Sequence, residues 1–118
     1  MIAIAPHISA FLRERLPLQR GASVHTCDSY ACSFLLLFEF ASRRFGVTPS
    51  ALSLEQIDAS LVMDFLAHLE AGRGNSPSTR NVRLAAIKSF MRFVEYRVPA
   101  LLEQSRRILA IPTDSSDS

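Results

Sequence analysis

The sequence predicts an all-α fold, a compact bundle of four to five helices, and three observations lead there. Apolar residues recur at spacings of three and four, and no run alternates with period two for long enough to argue a strand. Ser, Pro and Gly punctuate the periodic stretches where helices start and stop. The 118 residues are 48% hydrophobic and 20% charged, enough for one core without a disulfide framework or a metal.

The first helix is expected from about His7 to Arg15, with Ile8, Phe11 and Leu12 on one face, ending near Pro17 and Gly21. A second is expected from Ser23, its cap, to Phe45, stopped by Gly46. Its stripe of Tyr30, Phe34, Leu37, Phe38, Ala41 and Phe45 has the width of a bundle helix, and Leu36 and Phe40 off that stripe predict a central position. After the loop at Val47–Ala51, Leu54 and Ile57 lead into a third helix near Ser60 to Ala71. Leu61, Val62, Phe65, Leu66 and Leu69 face inward there, and Gly72-Arg-Gly-Asn ends it.

Ser76 followed by Pro77 provides an N-cap and a proline at the first helical position, opening a fourth helix to about Glu95. Its buried side is read as Val82, Ala86, Ile87, Phe90, Phe93 and Val94. Pro99 separates a last helix, about Ala100 to Leu109. Residues 7–112 then form the domain, 1–6 an N-terminal arm, and 113–118 a disordered tail or the start of an interdomain linker.

Several function classes are disfavoured. Cys27 and Cys32 lie in neither a redox nor a zinc spacing, and are read as reduced core residues of an intracellular protein. The N-terminus lacks a secretory pattern, and the longest apolar run, Phe34 to Phe38, is far below the roughly 20 residues a membrane span requires. His7, His25 and His68 are scattered without metal or catalytic spacing, and no nucleophile elbow or phosphate-binding loop is present. Tyr30 falls on the core stripe and Tyr96 reads as a surface hydroxyl, so no catalytic residue, cofactor, metal or small-molecule substrate is expected.

Net charge is +2, and twelve of the thirteen basic residues are Arg, a side chain suited to bidentate contact with phosphate or guanine. Arg80, Arg83, Lys88, Arg92 and Arg97 crowd the fourth helix against one acid, Glu95. Its opening, Ser76-Pro-Ser-Thr-Arg-Asn-Val-Arg, combines hydroxyls, a helix N-terminus and Arg side chains. Such a set can grip a phosphate while an Arg reaches a base edge, provided Arg80 and Arg83 stand outward. The competing reading is a capped, solvated helix. The stripe of Asn81, Lys88, Arg92 and Glu95 either tracks a DNA backbone or keeps the helix wet, and the wet reading is favoured. Helix two offers a lesser front end in Ser23, His25, Thr26 and Ser29, with Arg43 and Arg44 at its far end.

The order of these features resembles the N-terminal core-binding domain of tyrosine recombinases and phage integrases. The resemblance is carried by Ser23-x-x-Thr26-x-x-x-Tyr30 with Phe34 and Phe38, by Leu54-x-x-Ile57 and Val62-x-x-Phe65-Leu66-x-x-Leu69, and by the Ser76 to Phe93 run. It covers about residues 7 to 112 and implies a SAM-like helical bundle forming half of a clamp on duplex DNA, with helices two and four toward the major groove. It implies Thr26, Ser76, Ser78, Thr79, Arg80 and Arg83 as DNA contacts, with His25, Arg43, Arg44 and Lys88 in support. Double-stranded DNA and other recombinase protomers are the implied partners, in the bacterial cytoplasm at the nucleoid. The family's catalytic arginines, lysine, HxxR box and tyrosine nucleophile are absent, so strand cleavage is not expected of these residues. A helical protein-interaction module that binds no DNA is the alternative.

Overall fold

The computed structural model describes residues 2–15, 24–73 and 77–112, with side chains for 2–13, 30–71 and 79–112. Among these residues, five α-helices carry the architecture: α1 (Ala5–Ala10), continuing as a π-helical turn over Phe11–Arg15, α2 (Val24–Phe45), α3 (Ala59–Arg73), α4 (Pro77–Arg97) and α5 (Leu102–Leu109). Short 3-10 turns at Pro49–Ala51, Leu54–Gln56 and Pro99–Leu101 link them. The fold is all-α, as the spacing predicts.

Local chemistry sets the ends. Gly46 takes a left-handed φ of 66°, which ends α2 where a side chain would be strained. Helix α3 begins one residue earlier than expected because the Asp58 carboxylate accepts the Leu61 amide at 2.9 Å and caps it. The turn before it is held by Gln56, whose Oε1 accepts the Ser53 amide at 2.9 Å. Helix α4 runs two residues past Glu95 to Arg97, and α5 starts at Leu102 because the residues from Pro99 first make a 3-10 turn.

The expected N-terminal arm is instead part of the body from Ile2 onward. Ile4 is buried, its amide donates to the Leu52 carbonyl at 3.1 Å, and the Leu54 amide donates to Ile2 at 2.8 Å. The Ile2 amide also donates to Glu55 Oε1 at 2.9 Å, which holds that carboxyl below its ordinary range. An isolated antiparallel bridge, Ala3 to Ser53, completes the attachment.

The centre belongs to α4 rather than α2. Helix α4 packs against α2, α3 and α5, and Leu84, Ala86, Ile87, Phe90, Met91, Phe93 and Val94 are all buried along it. Five of the six α4 core positions expected from the sequence are buried, and Leu84 and Met91 join them; Val82 lies on the side with exposed Ala85 and Tyr96 and is itself 42% exposed. On α2, Phe34, Leu37 and Ala41 are buried as expected, while Phe45 at the helix end is exposed. Cys32 is a free, exposed thiol rather than a core residue; it heads a solvent stripe with Leu35, Glu39 and Arg43 at helical spacing. The side chain of Cys27 and the tail at 113–118 lie outside the described residues.

Phe11 is the hub of the aromatic core. Its ring meets Phe90 at 5.5 Å, Phe93 at 5.6 Å, Phe34 at 6.0 Å and Tyr30 at 6.5 Å, so the π-helical turn joins α2 to α4. At the opposite end Gln104 of α5 donates to the carbonyls of Leu54 (2.7 Å) and Ile57 (3.0 Å), satisfying a turn that no helix could.

Candidate nucleic-acid interface

The basic residues of α4 divide into two sets by helical angle. At about 100° per residue, Arg83 shares a stripe with Ile87, Phe90 and Val94, while Arg80 shares one with Leu84, Ile87 and Met91. Every one of those neighbours is buried, so both arginines are drawn toward the bundle. Arg83 donates from a terminal nitrogen to Ser33 Oγ of α2 at 3.0 Å, and Ser33 is itself buried. Arg80 Nε pairs with Glu70 Oε1 of α3 at 2.7 Å, leaving its side chain only 16% exposed.

The expectation that both guanidiniums stand outward is therefore corrected. An arginine at helical spacing from core residues can reach back to a partner on a neighbouring helix, burying its stem and turning its head inward. The signal was in the sequence: the residues four and seven positions after Arg83, Ile87 and Phe90, are core residues, as are Leu84 and Ile87 after Arg80.

The outward set is Lys88 and Arg92, with Asn81 beside them. Neither Lys88 nor Arg92 joins an ion pair among the described residues, since Glu95 turns to Arg106 at 3.7 Å. Burial, then the positive charges of Arg92 and Arg80, hold the Lys88 ammonium below its ordinary pKa. Lys88 and Arg92, one turn apart on the helix, thus form a ridge of positive charge that no described acid pairs with, a setting in which an anionic group is stabilised.

The other expected positions are dispersed. Arg43 is exposed and pairs with Glu39 one turn earlier at 2.6 Å. Arg44 pairs with Asp64 of α3 at 2.8 Å and lies over the Phe40 ring at 5.1 Å. Together with His68, whose ring lies tilted against Phe40 at 5.2 Å, these residues line a shallow groove of about 360 Å³ between α2 and α3. Thr79 is half-buried in the first turns of α4. Thr26 and His25 fall on α2 and Ser78 on α4, but their side chains, and all of Ser76, lie outside the described residues.

Other chemistry is sparse. Among the described residues no three His, Cys, Asp or Glu side chains gather as a metal site, and no helix is long and apolar enough to cross a membrane. His7 is half-buried, its pKa lowered by burial and then by Arg97. Tyr30 is occupied in stacking on Phe11, and Tyr96 is 82% exposed.

Comparison with known proteins gives a consistent result. Residues 8–97, about three quarters of the chain, match the family described as phage integrase, N-terminal SAM-like domain. Two Sinorhizobium fredii proteins named "Putative integrase/recombinase", y4rC and y4rD, are 44% and 40% identical over 111 residues, 94% of this chain. The chain covers only 33% and 40% of their respective lengths. No solved structure gives a significant match.

Proposed function

Because this chain belongs to the phage integrase N-terminal SAM-like domain family, we propose that it is the part of a recombinase that grips duplex DNA at a recombination site, in integration or transposition. The observation that carries the reading is the α4 ridge, where Lys88 and Arg92 present charge that no acid among the described residues neutralises. A phosphate backbone supplies the missing counter-charge at a spacing a helix face can follow. In this reading Lys88 and Arg92 contact phosphate, Asn81, Thr79 and the serines that open α4 lie where base edges approach, and Thr26 and His25 approach from the start of α2. Arg43 and Arg44, exposed at the far end of α2, are further contacts in support. Strand cleavage belongs to a catalytic domain whose residues this chain does not supply.

The test compares two double substitutions of equal charge in duplex binding by fluorescence anisotropy. Lys88→Ala with Arg92→Ala weakens binding about tenfold or more and flattens the salt dependence by about two phosphate contacts. Arg106→Ala with Arg107→Ala, on α5, has a much smaller effect. Equal losses from the two pairs contradict the assigned face. Saturable self-association without duplex binding would instead favour a domain that joins protomers.

A further inference from the structure

The pairing of Arg80 with Glu70 closes the junction between α3 and α4. Glu70 lies in the last turn of α3 and Arg80 in the first turns of α4, and their 2.7 Å contact brackets the segment that joins the two helices. The Arg80 side chain is 16% exposed and that of Glu70 is 44% exposed, so the cation is the covered member. The same guanidinium lies 3.5 Å from the Pro112 carbonyl, just beyond α5, and 3.5 Å from Asn81 Oδ1. One planar, fork-shaped cation thus touches the end of α3, its own helix and the chain leaving α5.

Resting on the reading that α4 grips DNA, we propose that Glu70 is a positioning residue for that grip, acting through Arg80 to fix the leading end of α4. An acid beside a DNA-binding ridge repels the backbone, so its field alone weakens binding. Its structural effect has the opposite sign. Holding Arg80 across the junction sets the angle at which Thr79, Asn81 and the ridge meet the duplex, and it removes the ordering that binding would otherwise impose.

The opposed signs make the test direct. Glu70→Ala removes one negative charge, so a purely electrostatic role predicts tighter duplex binding. The proposal predicts binding weaker by about threefold, the scale of a partly exposed ion pair. Glu70→Gln, which still accepts a hydrogen bond from Arg80, falls between wild type and Glu70→Ala. Glu103→Ala, an equal charge change on α5, leaves binding unchanged or tighter. Arg80→Gln weakens binding by a factor similar to Glu70→Ala, the double variant is no weaker than the weaker single one, and the salt slope stays constant throughout. Thermal melts confirm that each variant is folded.

Binding by Glu70→Ala that equals or exceeds wild type overturns the proposal while leaving the DNA reading intact. A salt slope lowered by about one in Arg80→Gln also overturns it, because Arg80 is then itself a phosphate contact. Wild-type chain that binds no duplex at low salt removes both this proposal and the function it rests on.

Discussion

Phe11 is the residue on which the bundle depends most heavily, and Phe11→Ala measures how much. The ring is fully buried and has four aromatic neighbours with centroids between 5.5 and 6.5 Å, drawn from both α2 and α4. Truncating a buried Phe costs roughly 3–5 kcal/mol in lost transfer energy and cavity formation. Each edge or tilted ring pair contributes about 0.5–1.5 kcal/mol beyond that area, which places this site toward the upper end. Against a total stability of about 5–15 kcal/mol, the variant loses roughly a fifth of its margin or more. At roughly 4 °C per kcal/mol for a domain of this size, the midpoint of thermal unfolding falls by about 12–20 °C. Urea unfolding followed by circular dichroism gives the free energy directly. A loss below about 1 kcal/mol is the ordinary effect of a surface change and refutes the placement of the π-helical turn between α2 and α4.

Two further outcomes follow from contacts at the other end of the bundle and from its titratable groups. Gln104→Ala removes both hydrogen bonds to the Leu54 and Ile57 carbonyls and lowers stability by about 1–3 kcal/mol; a urea midpoint equal to wild type contradicts the assigned role of that amide. The folded pKa of His7 lies below its unfolded value of 6.5, so the unfolded chain binds the proton first, and stability is lost as pH falls through 6.5 toward the folded value. Melts at pH 7.5 and 5.5 show this loss to be smaller in His7→Gln than in wild type, and identical losses contradict it.

The helices were legible because their signals are local. Gly46 at the end of α2, Pro77 opening α4 and Pro99 before α5 act within a few residues of themselves, and the structure places a helix boundary or turn at each. The attachment of Ile2 and Ile4 was not legible, because their partners at Leu52 to Glu55 are about fifty residues away and the pairing is made by backbone groups that carry no sequence signature. The apolar surroundings of Cys32 in the sequence read as core, yet its helical stripe runs through Glu39 and Arg43 to solvent.

The cations of α4 show the same division. A cluster of cations on α4 could be read directly, but which of them face outward depends on what packs against the helix. The shared arc of Thr79, Arg80 and Arg83 at the start of α4 reads as outward, whereas the apolar stripes that Arg80 and Arg83 continue draw both inward. Lys88 and Arg92, whose stripe reads from the sequence as a wet one, join no ion pair with an acid among the described residues. Glu70 carried no signal at all in the sequence, since its contact with Arg80 exists only once α3 and α4 are side by side.

Titration of a labelled mixed-sequence duplex with this chain, followed by fluorescence anisotropy over a series of salt concentrations, tests the central claim most directly. Saturable binding is expected, weakening with salt along a log–log slope of several units at about 0.9 per phosphate contacted. No saturation at low salt, or an affinity indifferent to salt, contradicts a phosphate-gripping ridge on α4.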